Sequence, residues 1–158
     1  MNDSPALVPS IVLPSEGKHL FAFGEEVIVH LSGNETGGRF AMWTEITPPG
    51  GGPPPHYHQK EDEWFFPLEG RVEFFKDDHW EEVPMGTAVF MPREVIHTFR
   101  NPGDEPLKML IHTTPSGFED FFARCAEEFS KSQPPDMVRI IDISAEYGIH
   151  FVGAPPGE

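Results

Sequence analysis

The sequence predicts an all-β domain, an antiparallel sandwich or barrel, followed by a helical tail. Three observations carry this expectation. Short β-branched and aromatic runs recur up to about residue 114 with no helical period between them. Gly- and Pro-containing turns separate the runs. After Thr113 the apolar spacing changes from alternation to the i, i+3, i+4 pattern of a helix. The 158 residues suit one domain, since single cores are built from roughly 100–200 residues.

Residues 1–25 are Pro-punctuated and read as an N-terminal arm lying on the surface or reaching toward a partner subunit. Residues 26–114 read as the β core. Its first strand runs from Glu26 to Leu31, through Val27, Ile28 and Val29, and turns follow at Gly33-Asn34 and Gly37-Gly38. Phe40 to Thr47 forms a second strand, closed by the Pro/Gly tract at 48–55. Such tracts often serve as linkers. Histidines directly after this one argue for an ordered loop instead. Further strands are expected at Glu63 to Leu68, Val72 to Phe75, Trp80 to Val83, Val89 to Met91, Val95 to Phe99 and Leu107 to Thr113. Glu69-Gly70 and the stretch from Lys76 to His79 are turns.

Residues 115–158 form the tail. Ser116 and Glu119 have the spacing of a capping box, and Phe118, Phe121, Phe122, Cys125 and Phe129 line one helical face. That face predicts a buried Cys125 kept for packing. The Phe stripe fits a lid, an outer packing helix or a dimer interface. Asp136 can cap a second helix with an apolar stripe at Met137, Ile140, Ile141 and Tyr147, and Gly148 stands where a C-cap is expected.

Acidic residues outnumber basic ones 26 to 11, a net charge of −15. That charge opposes a phosphate backbone and an anionic membrane surface, so nucleic acid and lipid are poor partners. One cysteine allows neither an intrachain disulfide nor a thiolate zinc cluster. With no basic-then-apolar leader at residues 1–10 and no apolar run near the roughly 20 residues of a span, a cytoplasmic protein is expected.

The chemistry concentrates in Gly50-x5-His56-x-His58-x4-Glu63-x6-Gly70 and, fifteen residues later, Gly86-x5-Pro92-x4-His97-x3-Asn101. Strand alternation points His56 and His58 to the same side. Glu63 needs a bend at Gln59 to Asp62 to join them, and His97 closes the set from a distant strand. Three imidazoles and one carboxylate suit one divalent transition metal, Fe, Mn, Ni, Cu or Zn, with positions left open for substrate, water or dioxygen. His79, His19 and His150 read as incidental. His30 and His112 lie within strands and could face a pocket.

This block resembles the two motifs of the cupin superfamily, and the stretch from about Val27 to Thr114 resembles one jelly-roll cupin barrel. The resemblance carries the metal-ligand roles to His56, His58, Glu63 and His97. It departs at Glu94, where the second motif usually has glycine. The tail, at residues 115–122 and from Tyr147 into a Pro-rich end, is similar to single-domain cupins described as quercetin 2,3-dioxygenase-like. That resemblance implies a dioxygenase acting on an enolic or phenolic small molecule, with Glu63 as both ligand and catalytic base, in a homodimer. Phe65, Val95 and Phe99, placed by alternation from Glu63 and His97, are expected to line the substrate pocket or fill the barrel. Two further functions fit the ligand set: another metal-dependent cupin enzyme (isomerase, decarboxylase or lyase), and a non-catalytic binder of a small molecule or metal.

Overall fold

A computed structural model of the chain describes residues 7–153; the start of the arm and the Pro-rich end lie outside them. The strands are β1 (Lys18–Ala22), β2 (Glu25–Leu31), β3 (Ala41–Thr47), β4 (His56–His58), β5 (Asp62–Glu69), β6 (Glu73–Lys76), β7 (His79–Glu82), β8 (Val89–Met91), β9 (Phe99–Arg100), β10 (Leu107–Thr114) and β11 (Ile149–Phe151). The helices are α1 (Gly33–Thr36), α2 (Phe118–Lys131) and α3 (Met137–Tyr147).

Alternation decides how the strands pack. In β3, Ala41, Trp43, Glu45 and Thr47 are buried while the residues between them are half-exposed, and β10 repeats the pattern with Leu107, Met109, Ile111 and Thr113. These faces turn inward from a six-stranded antiparallel sheet ordered β1-β2-β3-β10-β5-β8. A three-stranded sheet, β7-β6-β9, packs against it. Phe65 meets Phe74 at a ring-centroid distance of 5.3 Å and Phe99 at 5.8 Å, which closes the core between the sheets. The architecture is the expected all-β antiparallel class with a C-terminal helical region.

Several boundaries differ from the sequence expectation. Lys18–Ala22, assigned to the arm, is an edge strand paired with β2. The strand expected from Val95 to Phe99 shrinks to Phe99–Arg100, because Arg93 and Glu94 form a turn and the chain bends at Val95. His79 opens β7 rather than sitting in the turn. The capping box is instead formed at α1, by Ser32 as its N-cap and Glu35 in its first turn. Ser116 does not cap α2: its N-cap is Gly117, and Glu119 accepts from the Gly117 and Gly33 amides at 2.8 Å each.

Asp136 does cap α3, accepting from the Val138 and Arg139 amides, and Gly148 ends it in the left-handed conformation. The buried stripe of α3 is Ile140, Ile143 and Ser144, so Met137 and Ile141 face outward. In α2, Phe121, Phe122 and Cys125 are buried as expected, and burial pushes the Cys125 thiol up to about 12. No helix among the described residues is long and apolar enough to cross a membrane.

Candidate metal centre

The Pro/Gly tract is an ordered ligand loop. Gly50 N–H donates to the Asn101 carbonyl and Asn101 N–H to the Gly51 carbonyl, both at 3.0 Å. His56 and His97 exchange both backbone hydrogen bonds, at 3.1 and 2.9 Å, so the two motifs meet as one antiparallel bridge. Thr98 Oγ1 donates to the Pro53 carbonyl at 2.6 Å. Asn101 locks the following turn, donating to the Thr47 and Glu105 carbonyls and accepting from the Gly103 amide. On the other side β11 pairs with β4, the strand that carries His56 and His58.

All four expected ligands converge. One ligand atom from each of His56, His58, Glu63 and His97 lies within 4.8 Å of every other. Ligands at about 2.1 Å from one ion stand up to about 4 Å apart, so a small contraction seats a metal. His56 Nδ1 donates to the Pro54 carbonyl and His97 Nδ1 to the Val95 carbonyl, each at 2.9 Å. A carbonyl only accepts, so both imidazoles carry the proton on Nδ1 and offer the Nε2 lone pair. Glu63 Oε2 lies 3.0 Å from His97 Nε2 and 3.7 Å from His58 Nε2. His58 has no hydrogen bond at either ring nitrogen although it is 1% exposed, an orphaned donor and acceptor that a metal and a neighbouring carboxylate would satisfy. That carboxylate is Glu61, also buried, with Oε2 3.5 Å from His58 Nδ1.

Electrostatics agree with the donor set. Burial, then the neighbouring imidazoles of His97 and His58, pull His56 down to about 3 and keep it neutral. Burial alone would push Glu63 up. The charge of His58, with the rings of His97 and His56 beside the carboxylate, outweighs it and holds Glu63 below the usual carboxylate range, as an anion. Burial pulls His58 down, but Glu63 and Glu61 outweigh it and raise it overall.

A cavity opens beside the tetrad, lined by His56, Glu63, Phe65 and Phe99 and covered by Phe118, Phe121 and Phe122 of α2. Phe118 stacks on Trp43 at 4.7 Å and on His58 at 5.5 Å. Of the Phe stripe, Phe118, Phe121 and Phe122 line the cavity, while Phe129 packs on Phe23. Phe65 and Phe99 stand where alternation placed them. Val95 does not line the cavity: it is 46% exposed, since the bend before His97 breaks the alternation that would have turned it inward. Glu94 adopts a φ of 66°, the conformation glycine usually supplies, and its amide donates to the His58 carbonyl at 2.7 Å. His30 and His112 point out of the core, His30 bonding Thr44 Oγ1 and His112 packing against Phe40 and Trp64. Sequence reasoning missed Glu25 and Glu45, which also line the cavity. Their signal was a carboxylate on the apolar, inward-facing side of each strand.

Residues 43–113 match the cupin domain. Solved structures share the fold. A predicted oxalate decarboxylase from Thermotoga maritima aligns at TM-score 0.60 and 21% identity, over 67% of this chain and 99% of its own. The polyketide cyclase RemF from Streptomyces resistomycificus aligns at TM-score 0.60 and 23% identity, over 69% and 81%. A sugar phosphate isomerase of the cupin superfamily from Silicibacter pomeroyi aligns at TM-score 0.57 and 19% identity, over 66% and 75%. No curated protein matches the chain. The matched domain and these folds together support the cupin superfamily, with a cluster of three histidines and one glutamate able to hold a metal.

Proposed function

We propose that the protein is a metal-dependent dioxygenase acting on a neutral, flat, enolic or phenolic small molecule. The observation that carries this reading is the composition of the cavity. His56 and Glu63 of the buried tetrad share it with aromatic walls, and no Lys or Arg is among the lining residues. Anionic substrates such as dicarboxylates or sugar phosphates are held by charge-assisted pairs with Arg or Lys. A wall of Phe65, Phe99, Phe118, Phe121 and Phe122 suits a planar apolar body instead.

His56, His58, Glu63 and His97 would hold one divalent Fe, Mn, Ni, Cu or Zn ion, which when bound would supply Lewis acidity toward a substrate hydroxyl. Glu63 is kept anionic by its imidazole neighbours and takes the hydroxyl proton onto Oε2. Phe65 and Phe99 hold the ring edge-on against the tetrad. Phe118, Phe121 and Phe122 exclude water from the deprotonated, electron-rich substrate, which reacts with O2 and opens.

A second reading keeps the substrate class without O2, as an isomerase, decarboxylase or lyase. It is favoured by the fold shared with proteins described as a cyclase, a decarboxylase and an isomerase. One experiment separates the readings: metal analysis of protein purified without chelator or His-tag, then oxygen-electrode assays with 3-hydroxyflavone and related enols. About one redox-active metal per chain with stoichiometric O2 uptake supports the dioxygenase. Turnover without O2 uptake supports the second reading, and a ligand recovered unchanged supports a binder. His58→Ala is expected to lose the metal, Glu63→Gln to keep it in part while losing turnover, and His79→Ala to change neither. Full metal content in His58→Ala would overturn the ligand assignment.

We also propose a homodimer. Support comes from Phe66, Leu68 and Phe90, which are exposed on the outer face of the six-stranded sheet beside Trp64. Light scattering should then give twice 17.8 kDa.

A further inference from the structure

The cavity carries a second polar group away from the tetrad. Glu25 of β2 and Glu45 of β3 both turn inward, 6% and 5% exposed, and line the same cavity, near enough for each to act on the other's proton affinity. Trp43 Nε1 donates to Glu45 Oε2 at 3.2 Å and Thr47 Oγ1 to Glu25 Oε1 at 3.3 Å. Strand register separates this pair from the tetrad. Along β10, Glu63 lies opposite Thr113 and Glu45 opposite Met109, four residues or about 13 Å apart at about 3.3 Å per residue. Between these levels the wall is Phe65 and Ile111.

A packed core has no need of such a pair. Buried carboxyls without a cation are costly, and well-packed apolar residues of similar size serve stability as well or better. What the pair offers is chemistry. Burial, with the charges of Glu25 and Glu63, drives Glu45 well above the usual carboxylate range against the Trp43 hydrogen bond. Burial also pushes Glu25 up to about 7, against the pull of Glu45 and the Thr47 hydrogen bond. A carboxyl pair retaining a proton presents an O–H donor and carboxyl acceptors side by side. The same cavity reaches the tetrad, for His56 and Glu63 are among its lining residues, so the pair and the candidate metal ligands face one space.

We infer that Glu25 and Glu45 are the second anchor of this pocket, hydrogen-bonding a hydroxyl or carbonyl on the end of the substrate remote from the tetrad. The inference rests on the function proposed above and narrows its substrate class. The ligand has a flat apolar middle, a metal-chelating enol at one end and a neutral hydrogen-bonding group at the other. A carboxylate or phosphate at the far end would be repelled.

Binding to zinc-loaded protein tests this without turnover. The probes are 3-hydroxyflavone and its analogues hydroxylated at the far ring positions, titrated by fluorescence. Wild type should bind at least one hydroxylated analogue about tenfold more tightly than 3-hydroxyflavone. Glu45→Leu and Glu25→Gln should lose that preference while keeping zinc content and 3-hydroxyflavone affinity. Equal affinity across the series in wild type, which needs no variant to fold, would overturn the inference and leave the proposed function standing. So would a preference that survives Glu45→Leu. Failure of every analogue to bind wild type would overturn the proposed function, and the inference with it.

Discussion

The four ligands were legible one residue at a time because each obeys a local rule. His56 and His58 share a strand face, and Glu63 returns inward after the bend at Gln59 to Asp62. Glu25 and Glu45 obey the same rule, yet a carboxylate on an apolar strand face reads as an exception until its partner is seen. That partnership gives a pH prediction. The folded pKa of Glu25 is raised from 4.5 to about 7, so its stabilising contribution is complete below pH 4.5 and is lost as pH rises through about 7. The loss is on the order of 3 to 4 kcal/mol, at about 1.36 kcal/mol per pKa unit. Glu45 and Thr47 are the groups that act on it, and Glu45 in turn feels the charge of Glu63. Metal-free wild type should lose thermal stability relative to Glu25→Gln between pH 4.5 and 8. Parallel Tm profiles for the two proteins would refute the shift.

At the scale of elements, turn chemistry decided what could be read. Strands β2, β3, β5 and β10 were visible as alternating runs. The missing strand at Val95 was not, because its disruption comes from Glu94 adopting a conformation that its side chain disfavours. Edge strand β1 was hidden among prolines, and β4 and β11 are three residues each, too short for a period. The ligand loop yields a prediction from geometry. At Gly52, with φ of 143°, a Cβ would lie 2.2 Å from the Phe99 carbonyl oxygen, so either the loop or the β9 backbone must move. Gly52→Ala should cost at least about 2 kcal/mol and lower metal content, because the same loop seats His56. At Gly50 a Cβ would meet nothing within 4 Å, so Gly50→Ala should cost only about 1 kcal/mol of backbone strain. Urea titration of both variants with metal analysis checks the contrast. Equal effects would show that the close approach at Gly52 is unimportant.

For the whole molecule, composition and periodicity identified a β core with a helical tail, but not where the tail goes. Phe118, Phe121 and Phe122 form a helical stripe whatever surface receives them. Their seat over the tetrad depends on Trp43 and His58, which are remote in sequence. Without metal, the centre is a buried carboxylate among imidazoles, one of them with no hydrogen bond at all. An ion that binds only the folded chain, at about 100 times its Kd, adds about 2.7 kcal/mol. Tm should therefore rise by about 5–10 °C on loading and fall again with chelator. An unchanged Tm with metal bound would mean that ligand convergence survives unfolding.

The pairing of β11 with β4 has a consequence for how the protein is made. Residues 56 and 58 leave the ribosome some ninety residues before residues 149–151, yet the later segment supplies the hydrogen-bonded neighbour of the strand that presents both histidines. A nascent β core would expose an incomplete centre, its ligand strand unsupported on one side, until residue 151 has emerged. Metal capture is therefore expected to follow the docking of β11 on β4.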